Sequence, residues 1–281
     1  MSEARQISHL ADASGYHQNL MIEKRVAIIT GSSRGIGRGI AEQLSADGLA
    51  VVINYANSKQ PADELVSRIV SEGGQAIAVQ ASVADAEDRK RLLDEVYEAW
   101  GRLDVLVNNA GITSPGRNDL LEATEDSWDQ VFNTNLKGPF FLSKDAANRM
   151  IGSRNGDCES QPVIGQIINV SSVSAYAVST NRADYCIAKA GMRMMTQQFA
   201  TRLADESILV YEICPGVIAS DMTAPVQAKY DKLIEEGLTP IRRWGSPNDV
   251  ALAISAIVNG KFPFSTGEVF NVDGGFHLRR L

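Results

Sequence analysis

The chain has 281 residues, 44% hydrophobic and 22% charged, and its 27 Lys and Arg against 34 Asp and Glu leave a formal net charge of −7. This composition excludes a disordered or collagen-like chain, and the acidic balance argues against a nucleic-acid or anionic-membrane partner, whose phosphates would repel it. No apolar run reaches the roughly 18 residues that span a bilayer, and Cys158, Cys186 and Cys214 show neither close pairing nor Cys-x-x-Cys spacing, which fits a reducing cytoplasm and supplies no metal cluster.

Residues 1–20 contain His9, Asp12, Gly15, His17 and Gln18 with no apolar run. They read as neither a secretory leader nor a mitochondrial presequence. A poorly ordered extension is expected there, with Met21 a natural starting residue and one domain from 21 to 281. From Lys24 apolar runs alternate with helical spacing. Val26–Thr30 predicts a strand, and Ile36–Ala46 a helix with Ile36, Ile40 and Leu44 four apart. Strands are expected at Ala50–Tyr55, Gln75–Gln80, Leu103–Asn108, Ile164–Val170, Ile208–Cys214 and Glu268–Val272. Helices are expected at Ala62–Ser71, Ala86–Trp100, Trp128–Met150, Asp184–Leu203 and Asp249–Val258. Asn155–Pro162 reads as a surface loop with Cys158 a bystander, and about 219–245 as a loop near the substrate.

Strands that are apolar throughout are buried on both faces. The economical architecture is α/β, a single doubly wound sheet of about seven parallel strands with helices on both faces.

Three patterns carry chemistry. Thr30-Gly31-Ser32-Ser33-Arg34-Gly35-Ile36-Gly37 lies between a strand and a helix, where glycines let a backbone approach a pyrophosphate and the helix offers free N–H groups. Asn108-Asn109-Ala110-Gly111 ends the fourth strand, at the sheet edge where such folds hold ligands. Tyr185 and Lys189 stand four apart on one helical face, with Ser172 just past the fifth strand. A nearby ammonium is expected to lower the phenol's pKa from its ordinary value near 10. Each pattern alone has a plainer reading: an empty glycine turn, a strand-ending turn, a surface Tyr–Lys pair. The three histidines, His9, His17 and His277, lie near the termini, which argues against a histidine-based site.

Taken in order, Thr30–Gly37, Asn108–Gly111, Asn135 in Asn-Leu-Lys-Gly, Ser172, Tyr185 with Lys189, Pro215-Gly216 and Val272-Asp273-Gly274-Gly275 resemble the short-chain dehydrogenase/reductases. Within them the chain is similar to the 3-oxoacyl-[acyl-carrier-protein] reductase branch, from about Lys24 to Gly275. The resemblance implies a Rossmann-like sheet, a homotetramer and reversible hydride transfer between a nicotinamide and a carbonyl or secondary alcohol. It implies Asn135, Ser172, Tyr185 and Lys189 as the catalytic four. Ser172 would polarise the oxygen, Tyr185 would exchange the proton and Asn135 would hold a water that links Lys189 to solvent. Cofactor contacts are implied at Gly31, Ser33, Arg34, Gly35, Ile36, Gly37, Asn54, Tyr55, Ser82, Val83, Asn109, Ala110 and Gly111. Further ones are implied at Tyr185, Lys189, Pro215, Gly216, Val217, Ile218 and Ser220. No metal is required.

Asn54 ends the second strand where an NAD site usually has an acid, and Arg34 could meet a 2′-phosphate, so NADP(H) is expected over NAD(H). Arg34 facing solvent is the plainer alternative. Glu206 and Ser207 stand where the reductase branch commonly has a basic residue, and Asp157 and Glu159 add acid nearby. An acyl carrier protein is one candidate partner. A free sugar, polyol or keto acid is the rival substrate, and a non-catalytic dinucleotide-binding regulator the second alternative. Arg117 and Arg182, with Ser174, are expected to border an anionic small substrate; a subunit salt bridge for Arg182 and a solvated Arg117 are the bland alternative. For the tetramer, Trp128, Phe132, Phe140 and Phe141 with Met192, Met194, Met195 and Phe199 supply apolar surface beyond one inner face; the plainer alternative is that all are core residues of the subunit.

Overall fold

The computed structural model describes residues 24–153 and 163–279. The extension over 1–20, Met21, the 155–162 loop and Cys158 lie outside the described residues. Seven strands are present: β1 (Val26–Ile29), β2 (Ala50–Tyr55), β3 (Gln75–Gln80), β4 (Val105–Asn108), β5 (Gly165–Val170), β6 (Ile208–Pro215) and β7 (Val269–Val272). They form one sheet in the order β3-β2-β1-β4-β5-β6-β7, with every neighbouring pair parallel. The doubly wound architecture expected from the sequence is the one observed. β1, β2, β4 and β5 are buried along their whole lengths, which is why they lack polar alternation.

One face is covered by α1 (Gly35–Ala46), α2 (Lys59–Ser71) and α8 (Pro247–Val258). Ile40, Leu44, Leu65 and Ile254 pack there on Ile29, Val51, Ile53 and Val107. The other face is covered by α3 (Ala86–Trp100), α5 (Gly138–Gly152) and α6 (Ala183–Leu203). Leu92, Val96, Leu142 and Leu203 meet Ile28, Val52, Leu106 and Val210. Each such fully buried side chain stabilises the fold by about 1.5–3 kcal/mol. The order reverses at β1, whose neighbours are β2 and β4, so the crevice lies at the carboxyl ends of these strands.

Two departures from the sequence reading matter for the site. The helix predicted over Trp128–Met150 starts earlier, as α4 (Glu125–Phe132), because the Thr124 hydroxyl accepts the Ser127 amide at 3.2 Å. A π-helical turn, Asn133–Lys137, then joins α4 to α5. Such wide turns are frequent at functional sites. The predicted 219–245 loop contains a further helix, α7 (Gln227–Glu235), of which only Ile234 is buried. Tyr230, Leu233 and Ile234 share one face at helical spacing, but only Ile234 is anchored in the core.

The predicted surplus of apolar surface divides. Met192 and Met195 are core residues of the subunit, because they lie on the inward face of α6. Trp128, Phe140, Phe141 and Met194 remain exposed, at 41%, 41%, 37% and 57%. Phe132 stacks on Trp128 with ring centres 4.2 Å apart, and Phe199 meets Phe140 edge-on at 5.2 Å.

A row of buried polar side chains crosses the sheet on the α5–α6 side. Asn108, Asn169 and Glu212 are register partners on β4, β5 and β6. Asn108 Nδ2 donates to Asn169 Oδ1 and to Ser143 Oγ, both at 2.8 Å. Asn169 Nδ2 donates to Thr196 Oγ1 of α6 at 2.9 Å.

Candidate active site

The turn after β1 is held by close backbone packing. Gly31 and Gly35 have φ of +61° and +57°, a region that favours glycine. A Cβ on Gly31 would lie 3.0 Å from Ala110 Cα, and one on Gly37 only 2.5 Å from both Asn109 Nδ2 and Gly31 O. Asn109 Nδ2 donates to the carbonyls of Thr30 and Gly31 at 2.8 and 3.2 Å. The Asn109 and Ala110 amides both donate to Thr30 Oγ1 at 2.9 Å. The end of β4 thus clamps the glycine turn. Ser33 is buried, and Ile36 packs against the first core cluster.

Arg34 is the N-cap residue of α1, which has no side-chain cap and no acid in its first turn. Its exposed guanidinium stands 3.8 Å from Asp221 across the cleft. A Cβ on Gly35 would sit 3.7 Å from Ser220 Cβ, so the two loops face each other at that distance. A Cβ on Gly111 would lie 3.1 Å from Asn135 Oδ1 and 3.7 Å from Lys189 Nζ. The uncapped helix start, the two left-handed glycines and the bare backbone before Lys189 fit a dinucleotide.

Some expected cofactor residues are placed otherwise. Asn54 is turned inward: Oδ1 accepts the Gly31 amide at 3.1 Å, and Nδ2 donates to the carbonyls of Val79 and Ala81 at 3.3 and 2.9 Å. Its side chain ties β2, β3 and the glycine turn together and leaves no group for a ribose. That corrects the sequence reading, in which it faces the cofactor. The Tyr55 and Val83 side chains are core residues. The Ser82 amide donates to Asp88 at 2.7 Å, and the Val83 carbonyl accepts from Arg89 at 2.7 Å.

Ser172, Tyr185 and Lys189 come together at the carboxyl end of β5. Tyr185 is buried, and the Ser172 hydroxyl acts on its phenol. Ser172 Oγ also accepts the amide of buried Ser174 at 3.1 Å. Lys189 Nζ lies 5.8 Å from the Tyr185 ring centre and donates to the Val170 carbonyl at 2.9 Å. Burial pushes the phenol's pKa up, while the bond to Ser172 and the Arg182 charge pull it down. The expected lowering by the ammonium is therefore not the dominant effect in this geometry. Lys189 is itself buried, which lowers its pKa to about 8 against the opposing pull of Glu212.

Asn135 is fully buried in the wide turn. Its Oδ1 accepts the Ile112 amide at 2.9 Å and its Nδ2 donates to the Ile112 carbonyl at 2.8 Å. The pair fixes the segment after Gly111. The start of α6 is fixed by Asp184, which the sequence reading passed over. Its carboxylate accepts from Ser114, from Ser127 at 2.6 Å and from the Tyr185 amide at 2.7 Å. An acid in the first turn beside Tyr185 was the available signal.

After β6, a Cβ on Gly216 would lie 2.6 Å from Asp273 Cα, so the chain turns there against the last loop. The Val217 carbonyl accepts the Gly245 amide at 3.0 Å, and the Ile218 carbonyl accepts Thr223 Oγ1 at 2.7 Å. Ser220 N donates to Thr223 Oγ1 at 3.0 Å. The Ile218 amide has no partner among the described residues. Arg182 caps α6, with Cζ 5.7 Å from the Tyr185 ring centre and Nε donating to Ser179 at 3.3 Å. Arg117 instead reaches the Met222 carbonyl at 3.5 Å. Among the described residues no group of His, Cys, Asp or Glu could hold a metal, and no helix is long and apolar enough to cross a membrane.

Three comparisons extend this geometry. A family model described as enoyl-(acyl carrier protein) reductase matches residues 31–277. The 3-oxoacyl-[acyl-carrier-protein] reductase FabG of Staphylococcus aureus is 41% identical over 254 residues, 90% of this chain and 98% of that one. The crystal structure of a Brucella melitensis 3-oxoacyl-[acyl-carrier protein] reductase in complex with NAD is 36% identical, covering 92% of this chain and 99% of that one with a TM-score of 0.86. A Burkholderia cenocepacia gluconate 5-dehydrogenase, in complex with NADP and tartrate, is 31% identical, covering 90% of this chain and 94% of that one at a TM-score of 0.80.

Proposed function

We propose that this chain, which belongs to the short-chain dehydrogenase/reductase family and is an NAD(P)-dependent oxidoreductase, works as an NADP-preferring reductase of 3-oxoacyl thioesters. The observation that carries the reading is the buried Tyr185 phenol beside the Ser172 hydroxyl, with Lys189 Nζ one helical turn further on and 5.8 Å from the ring centre. When bound, the nicotinamide supplies the hydride. Tyr185 hands its proton to the carbonyl oxygen in reduction and takes it back in oxidation. Ser172 bonds the same oxygen, where negative charge develops. Lys189 favours the phenolate by its charge, and its ammonium, close to the bare backbone of Gly111, would hold the cofactor's ribose. The Asn135 amide is closed on Ile112, so a proton relay from Lys189 to solvent would run past the backbone of the wide turn. The free Ile218 amide suits a carboxamide acceptor, and Arg34 suits a 2′-phosphate. The exposed Trp128, Phe140, Phe141 and Met194 suit subunit contacts of a homotetramer, and the free thiols of Cys186 and Cys214 suit the cytoplasm.

One observation favours a second reading. Arg182 stands over the Tyr185 ring, and the gluconate 5-dehydrogenase neighbour was solved with tartrate, so a keto sugar acid is the rival substrate. The deciding experiment follows nicotinamide absorbance with NADPH and NADH. The substrates are a 3-oxoacyl thioester on acyl carrier protein, the same acyl group on a small thiol, and a keto sugar acid. Turnover of the thioesters with NADPH is expected, and Arg34→Ala should weaken NADPH more than NADH. Turnover of the keto acid alone, with its KM raised about tenfold or more by Arg182→Ala, selects the second reading. Equal effects of Arg34→Ala on both cofactors remove the 2′-phosphate role.

A further inference from the structure

Glu212 is an acid in the middle of a central strand. Its Cα pairs with Asn169 on one side and Val269 on the other, and its side chain is wholly buried. A carboxylate there is costly unless it answers another charge. The hydride-transfer steps above make no use of it.

Its partners point to the site. Ser171 Oγ donates to Glu212 Oε1 at 2.5 Å. Arg193 of α6 brings Nε only to 3.9 Å of the same oxygen. Arg193 Nε and Glu212 Oε2 are both buried with no hydrogen-bond partner among the described residues. An ion pair built for stability alone would close into two parallel bonds, and this one does not. Three consecutive residues instead carry three contacts. Val170 accepts from Lys189, Ser171 donates to Glu212, and Ser172, whose hydroxyl acts on the Tyr185 phenol, accepts the Ser174 amide. Lys189 and Arg193 lie one turn apart on α6, and both charges act on this acid, Arg193 from 3.9 Å.

We propose that Glu212 is a positioning residue of the reaction, the buried counter-charge that keeps Lys189 an ammonium and, through Ser171, holds the end of β5 that presents Ser172. The proposal rests on the reading that Lys189 serves the site. Burial drives Lys189 toward its neutral form, and Glu212 is the foremost charge opposing this. Burial raises the pKa of Glu212 itself, while the Ser171 bond and the Arg193 and Lys189 charges from α6 pull it down; Cys214 also faces it from its own strand. Burial pushes the Cys214 thiol up to about 12, so it is neutral near pH 8. Asp273, beyond β7, acts on Cys214 and is held low by His277 and two backbone amides. Tyr176, whose hydroxyl donates to Asp273, stays protonated because burial raises it.

The test reads the pH dependence of NADPH binding by nicotinamide fluorescence, alongside kcat/KM with NADPH and a 3-oxoacyl thioester of a small thiol. The wild type should lose affinity and kcat/KM as pH rises through about 8. Glu212→Gln should move that alkaline limb down by about one pH unit, while Glu212→Asp should keep it near the wild-type position. A folded Glu212→Gln with an unmoved limb overturns the proposal. If that variant does not fold, Glu212→Gln/Arg193→Gln removes the pair together and decides the matter. A lowered limb there supports the role, and an unmoved one means that Glu212 answers Arg193 alone. Lys189→Met should show no limb at all. A limb that persists in Lys189→Met refutes the reading of Lys189 itself, separately from that of Glu212.

Discussion

Asn54→Asp would be the obvious change for turning an NADP site into an NAD site, and the geometry says that it damages the fold instead. The Asn54 amide donates to two carbonyls, Val79 at 3.3 Å and Ala81 at 2.9 Å, from a side chain that is 2% exposed. An aspartate keeps the acceptor for Gly31 but turns an oxygen toward those carbonyls. Two hydrogen bonds of about 0.5–1.5 kcal/mol each are lost, and buried acceptors go unpaired at about 1–3 kcal/mol each. A loss of about 3 kcal/mol at pH 7 is expected, which for a chain of this size lowers Tm by about 6–12 °C. The sign with pH is fixed. Burial raises the new carboxyl's folded pKa above its unfolded value near 4, and the protonated form can donate to Ala81. The defect is therefore smallest below about pH 4, grows as pH rises through the folded pKa, and is complete above it. Thermal unfolding by circular dichroism at several pH values, with NADH and NADPH titrations, measures this. Both cofactors should weaken together, because Gly31 loses its support. An unchanged Tm with a selective gain in NADH affinity would refute the reasoning.

Tyr185→Phe should lower kcat by about 10²- to 10⁴-fold and leave the NADPH Kd within a few-fold; steady-state kinetics that retain a tenth of the rate would remove the proton-transfer role. Gly37→Ala places a Cβ 2.5 Å from Asn109 Nδ2 and Gly31 O, and should destabilise the chain by about 1–3 kcal/mol and weaken dinucleotide binding. Calorimetry and titration that match the wild type would show that the turn can open.

The sheet was legible because buried parallel strands announce themselves as apolar runs, and all seven predicted starts lie within two residues of the observed ones. The same property hid Asn54. β2 is buried at every position, so no alternation tells which way its last polar side chain points. The wide turn at Asn135 was illegible for another reason: one extra residue per turn leaves the apolar spacing on either side unchanged. The start of α4 is readable in principle from Thr124 with Glu125 and Asp126, cap and acidic first turn, although the apolar spacing itself begins only at Trp128. Helix α7 buries one residue, and its periodic signal is confined to Tyr230, Leu233 and Ile234 in an otherwise polar stretch, too short to stand out from a loop. Ser172, Tyr185 and Lys189 were legible as a set because helical spacing brings the last two to one face. Asp184 and Glu212 were not, since a single acid in a helix or strand carries no spacing.

The polar row across β4, β5 and β6 also bears on how the sheet assembles. A two-residue slip between parallel strands this uniformly apolar would leave every side chain on its own face, and hydrophobic burial would scarcely object. It would move Asn108 away from Asn169 and Asn169 away from Thr196, stranding amides in a dry interior at about 1–3 kcal/mol each. The row works as a key cut for one alignment: its worth lies less in the depth of the native state than in the height at which misthreaded sheets are left above it. Filling those positions with aliphatic side chains would make a greasier sheet that no longer knows where its strands should stop sliding.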